Sequence, residues 1–132
     1  MKREGGCFCG AVRYEVVGEP LMVEHCHCLH CRRIHGAPFV TWAEFTADGF
    51  RYLQGAPSTF ESRPKTTRSF CDRCGSPLNY RHEDSLGSID VIVATLDDPE
   101  SLTPREHIWH DRKLSWIELA DDLPRHAEKR TT

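Results

Sequence analysis

Glu24–Arg33, EHCHCLHCRR, holds Cys26, Cys28 and Cys31 in a C-x-C-x-x-C array with His25, His27 and His30 between and beside them. Thiolate and imidazole are the donors that zinc takes most readily. Two further cysteine groups stand elsewhere: Cys7-Phe8-Cys9-Gly10, and Cys71-Asp72-Arg73-Cys74-Gly75. The second is a zinc-knuckle pattern. It puts two thiolates on a tight turn, and the following small residue lets the backbone fold around a metal. A knuckle provides two ligands of the four a tetrahedral ion needs.

Two pairings of these groups are open. In one, Cys7 and Cys9 join Cys71 and Cys74 in a closed four-thiolate site, and Cys26, Cys28 and Cys31 form a second site. In the other, the knuckle takes two cysteines of the triplet and leaves Cys7 and Cys9 free. The first uses all seven thiols and is preferred. It would staple the amino-terminal strand to the middle of the chain, because metal binding of this kind is folding free energy. A zinc with four thiolates has no vacant position, so that site reads as structural.

Three ligands and one vacancy is the ligand count of a catalytic zinc. Three thiolates also make the ion electron-rich, so it suits a soft fourth ligand. A substrate thiol placed there would lose its proton and become a poised nucleophile. The competing reading closes the site with a histidine. His25, His27 and His30 each adjoin a ligand cysteine, which aims them elsewhere. His35, four residues past Cys31, is the best placed to complete it.

The elements that must position these groups are short strands. Ala11–Val17 and Leu21–His25 read as strands, the latter leading into the triplet. Leu29–Gly36 makes one or two helical turns. Pro38–Phe45 is rich in aromatic and β-branched residues and reads as a strand. Ser58–Ser62 and Thr66–Phe70 flank Arg63-Pro64-Lys65 as a hairpin, and Pro77–Arg81 and Ser88–Leu96 add two strands. Asp97–Leu102 opens a helical turn on an Asp cap. Ile108–Leu119, with Trp109 and Trp116, closes the fold, and the polar tail from about residue 124 is expected to be loose. The fold class is therefore mainly β: short antiparallel strands with only short helices.

Bulk composition narrows the function. A chain of 132 residues, 39% hydrophobic and 28% charged, suits a single domain over 1–132. A net charge of −3 argues against nucleic acid as a partner. No apolar run nears the roughly 18 residues of a membrane helix, and MKREGG lacks the apolar core of a signal peptide. Seven cysteines without a secretion signal point away from disulfides, and a cytoplasmic protein is expected.

GGCFCGAVRYEV, HCHCLHCRR and FCDRCGSPL, in this order, resemble the glutathione-dependent formaldehyde-activating enzyme family, the GFA domain. The resemblance runs from about Gly5 to Leu123. It implies a β-tent fold with two zincs per chain, with Cys7, Cys9, Cys71 and Cys74 as structural ligands and Cys26, Cys28 and Cys31 as catalytic ones. It implies a carbon–sulfur lyase that joins glutathione to formaldehyde as S-hydroxymethylglutathione.

The expected activity is therefore addition of a thiol, glutathione foremost, to formaldehyde or another small aldehyde at the Cys26–Cys28–Cys31 site. His35 and His27 are the candidate proton donors. Glutathione carries carboxylates, so Arg32 and Arg33, and the stretch Arg63, Lys65 and Arg68, are candidate binding cations. Phe39, Trp42 and Phe45 are candidates for the pocket wall or the core. The alternative is a binding module with two structural zincs and no activity. A redox role for the triplet ranks last. Oligomeric state is left open, a homodimer included.

Overall fold

The computed structural model describes residues 1–129. Among the described residues, ten strands and one short α-helix make a mainly β protein. In chain order these are β1 (Lys2–Gly6), β2 (Arg13–Val17), β3 (Met22–Cys26), α1 (Leu29–His35), β4 (Val40–Thr46), β5 (Phe50–Gln54), β6 (Ser58–Arg63), β7 (Thr66–Phe70), β8 (Pro77–His82), β9 (Ser88–Ile92) and β10 (Glu106–Ile108). Three strands form a small sheet in the order β1-β2-β5. Seven form a large one in the order β10-β3-β4-β9-β8-β7-β6. All neighbours are antiparallel except β10, which lies parallel to β3.

Strand alternation sorts the core into two clusters. Ala43 and Phe45 of β4 face Val23, Leu78, Ile89 and Val91, and the small sheet covers this face with Tyr14, Val16 and Phe50. Val40 and Trp42, on the other face of β4, pack with Cys26, Cys31 and Ile92. The triplet cysteines thus belong to one face of the large sheet, and the inter-sheet core to the other. No helix among the described residues is long and apolar enough to cross a membrane.

Several expected elements lie where the sequence places them, within a residue or two. Others differ. The expected strand over 88–96 stops at Ile92 and becomes a 3-10 turn over Val93–Thr95. β1 and β5 were not anticipated. Trp116 does not close the fold, since it is 67% exposed. The tail is not loose where it is described. His107 donates its N–H to the Pro124 carbonyl, Trp109 to that of Glu128, and His110 to that of His126. These bonds lay residues 124–128 along β10 and the two residues after it.

Candidate metal centres and the adjoining cavity

The first centre forms where the β1–β2 connection meets the β7–β8 connection. Cys7, Cys9, Cys71 and Cys74 bring their sulfurs within 4.8 Å of one another. Glycine closes each turn: Gly10 (φ 81°) and Gly75 (φ 82°) take the left-handed region that other residues avoid. The Gly75 N–H donates to the Cys71 carbonyl at 2.7 Å, which tightens the knuckle. Cys7 and Cys9 sulfurs lie 3.6 Å apart, and Cys9 and Cys71 sulfurs 3.8 Å. Four sulfurs at about 2.3 Å from a tetrahedral zinc are about 3.8 Å apart, whereas a disulfide needs about 2.05 Å. The donor set therefore fits a shared ion. The protein also supports the anionic form. The Ser76 hydroxyl, 3.2 Å from the Cys74 sulfur, and neighbouring backbone N–H groups lower that thiol to about 5. The Val12 N–H donates to Cys7 Sγ at 3.3 Å.

The second centre is built from the end of β3 and the start of α1. Cys26 is the last residue of β3, Cys28 caps α1, and Cys31 sits in its first turn. The Cys28 sulfur accepts from the Cys31 N–H at 3.3 Å, so the residue that starts the helix also aims a thiolate. Their three sulfurs lie within 4.8 Å of one another, and no histidine or carboxylate of the described residues joins the group. Trp42 Nε1–H donates to Cys31 Sγ at 3.4 Å, a second support for negative charge there. Hydrogen bonds from Cys26 and Cys31 lower the Cys28 thiol, while Cys28 and Cys31 raise Cys26. Such a cluster holds its first negative charge readily and resists further ionisation unless a cation shares it. Both centres are thus donor sets that could hold a metal ion.

A cavity of about 260 Å³ opens over the triplet. Cys26, Cys28, Cys31 and Trp42 line one part of it. Arg63, Thr66, Arg68 and Tyr80 come from β6, β7 and β8, while Trp109 and Arg112 come from the segment after β10. Burial holds the Tyr80 phenol well above its ordinary value, so it stays protonated.

The sequence-derived candidates divide. The cysteines separate into groups of four and three as expected. Arg63 and Arg68 line the cavity; Arg32, Arg33 and Lys65 do not. Lys65 instead occupies the β6–β7 turn at φ 70° and pairs with Asp84 at 3.4 Å. His35 is also absent from the lining. It packs edge-on against Trp42 with ring centroids 5.4 Å apart, and burial beside Arg68 lowers its pKa to about 4. His27 turns away from the cavity. His107 Nδ1 lies 2.9 Å from His27 Nε2, and Asp121 accepts from His107 Nε2 at 3.0 Å. That second bond leaves His107 Nδ1 as the acceptor and His27 Nε2 as the donor. His30, set aside because it adjoins Cys31, does line the cavity. The sequence reading does not mark Tyr80 or Arg112, and it gives Trp109 a part in closing the fold rather than in the site. Strand alternation could have placed Tyr80 beside its β7 partner Arg68, but no local pattern ties Arg112 to a site formed near residue 26.

The profile of the glutathione-dependent formaldehyde-activating enzyme family matches residues 2–112. The chain belongs to that family. A Halomonas elongata protein, named provisionally as a glutathione-dependent formaldehyde-activating enzyme, is 28% identical over 134 aligned positions, covering 90% of this chain and 82% of its own. The crystal structure of a Rhodobacter sphaeroides protein superposes with a TM-score of 0.61 at 28% identity, over 77% of this chain and 92% of that one. The matched stretch contains all seven cysteines and every cavity residue named above.

Proposed function

We propose that this protein is a zinc-dependent carbon–sulfur lyase that joins a thiol, glutathione foremost, to formaldehyde or another small aldehyde. One observation carries the reading: three sulfurs converge beside a cavity, and no fourth protein donor joins them among the described residues. Three ligands with an open position is the catalytic pattern for zinc, and four thiolates is the structural one. Zinc bound by Cys26, Cys28 and Cys31 would supply a Lewis-acid position at which a thiol gives up its proton.

The rest of the chemistry belongs to the chain. Cys28 and Cys31 are steadied by the Cys31 N–H and by Trp42. Trp42, Tyr80 and Trp109 give the cavity aromatic walls beside the triplet. Sulfur adds to the aldehyde carbon, the C=O π bond becomes an alkoxide, and a proton is then needed on oxygen. Tyr80, protonated and in the wall, and His30, also in the wall, are placed to hold or pass that proton. Holding two small reactants together supplies much of the rate gain.

Native mass spectrometry tests this directly. Gently purified protein should carry two zincs per chain and should gain one glutathione without losing metal. Adding formaldehyde should then yield S-hydroxymethylglutathione at a rate abolished by Cys28→Ser. Two zincs with no thiol adduct would instead favour a binding module with two structural sites.

A further inference from the structure

Arg68 sits in an arrangement that packing alone does not explain. Its side chain is buried, with the residue 8% exposed, yet it lines the cavity. Nε donates to Ser62 Oγ at 3.0 Å. The guanidinium lies over the Tyr80 ring at 5.0 Å and the Trp42 ring at 5.8 Å. These contacts fix its plane and orientation. Nη1, however, is buried and has no hydrogen-bond partner among the described residues. A buried charged donor left unpaired is destabilising, so folded proteins normally supply an acceptor. Here the cavity lining adds two more arginines, Arg63 and Arg112, and contains no Asp or Glu. Three guanidinium groups therefore share one small cavity with aromatic walls, and no described residue gives Arg68 Nη1 an acceptor.

We infer that Arg68 is a specificity-determining residue that anchors a carboxylate of the substrate thiol on the β7 wall of the cavity. A guanidinium fork matches a carboxylate in two parallel hydrogen bonds, and burial between two rings strengthens the pairing. Arg63 and Arg112, both exposed, sit at the solvent side and favour entry of an anion. Formaldehyde has no charge, so the carboxylate belongs to the thiol. A thiol without one, such as cysteamine, reaches the cysteine triplet but forfeits this anchor. The inference rests on the thiol–aldehyde reading of the cavity, but it concerns a different part of the ligand.

The test separates the two ends of the thiol. S-methylglutathione keeps the carboxylates and has no free sulfhydryl; glutathione diethyl ester keeps the sulfhydryl and masks the carboxylates. Both are titrated against the zinc-loaded full chain, with tryptophan fluorescence as the readout, since Trp42 and Trp109 line the cavity. Arg68→Met should weaken S-methylglutathione by roughly tenfold or more, the scale of one charge-assisted contact. Arg112→Gln, an exposed change, should weaken it by a smaller factor, and binding of the ester should be the same in all three proteins. Unchanged S-methylglutathione binding in folded Arg68→Met overturns the anchor. If Arg68→Met does not fold, wild-type protein and Arg68→Lys decide: equal affinity of wild type for the acid and the ester overturns it, and a loss on Arg68→Lys for the acid alone supports it. Glyoxylate serves as a carboxylated aldehyde. Arg68-dependent binding of glyoxylate without that of S-methylglutathione would move the carboxylate to the aldehyde and overturn the assignment to the thiol. Arg68-dependent binding of S-methylglutathione with no glutathione adduct at the metal would support the anchor while sinking the thiol–aldehyde reading.

Discussion

The division between a structural and a reactive centre predicts unequal losses when single ligands are removed. Consider Cys71→Ser beside Cys28→Ser. An ion held by the four-cysteine centre would tie Cys7 to Cys71 and close a loop of roughly 65 residues. It would join the small sheet to the large one through two chain connections. Loop-closure entropy for a cross-link of that span is about 4 kcal/mol. An ion on the triplet would close only the roughly six residues from Cys26 to Cys31, and the same expression gives about 2 kcal/mol. At about 3–4 °C per kcal/mol for a domain of this size, Cys71→Ser should lower Tm by at least about 12 °C and Cys28→Ser by about half as much. Cys71 is also 1% exposed, so a serine hydroxyl there meets a further burial penalty. The assay is thermal unfolding followed by circular dichroism, with zinc content measured on the same samples. Cys28→Ser should retain one zinc and a cooperative melt, with no activity. Equal losses of Tm in the two variants would refute the division, because the triplet would then be holding the fold as firmly as the four-cysteine centre.

Three further outcomes follow from the site and its surroundings. Asp121→Ala removes the acceptor for His107 Nε2, a ring 1% exposed; the unpaired donor should cost about 1–3 kcal/mol in urea unfolding, and the His107 and His27 tautomers should change in nitrogen-detected NMR. His35 is held down to about 4, from an ordinary 6.5, by burial and then by Arg68. Its neutral ring therefore stabilises the fold fully above about pH 6.5, and that contribution is lost as pH falls toward about 4, because the unfolded chain takes up the proton first. Replacing it, as in His35→Phe, should lower Tm less between pH 7 and pH 5 than wild type does; an equal drop would count against this account. Trp42→Phe removes the N–H donor to Cys31 Sγ, and in cobalt-substituted protein it should shift the thiolate-to-metal charge-transfer bands while leaving the four-cysteine centre unaltered.

The cysteine grouping was legible because ligand spacing is local. A C-x-x-C-G knuckle or a C-x-C-x-x-C array shows its chemistry within six residues, whatever surrounds it. Strands with a clear alternation were legible for the same reason. Others were not. β1, KREGG, has no apolar residue to alternate and becomes a strand because β2 supplies its hydrogen-bond partner. The tail reads as loose on composition, yet its backbone is paired along β10. β10 itself lies parallel to β3 some 80 residues earlier, His107 against His25, and nothing local encodes that register. Helical spacing favours His35 as a ligand, but spacing fixes only how far along α1 it lies and not that Trp42 stands beside it.

These differences fall on one side of a line that matters for function. The candidate metal donors come from short continuous motifs at the end of β3, in α1 and in two turns. The cations and rings over the triplet come from β6, β7, β8 and the segment after β10. A chain can therefore keep every cysteine of the family while changing Arg63, Arg68, Tyr80 or Arg112, and so change what enters the cavity without disturbing either centre. Family membership speaks to the first set, and on the thiol–aldehyde proposal substrate choice would depend on the second. A substitution at Arg68 should change which thiol is accepted and leave zinc content at two per chain, whereas a substitution at Cys28 should change zinc content for every thiol alike. Measuring both quantities on both variants separates the two layers, and a loss of zinc from folded Arg68→Met would show that they are coupled after all.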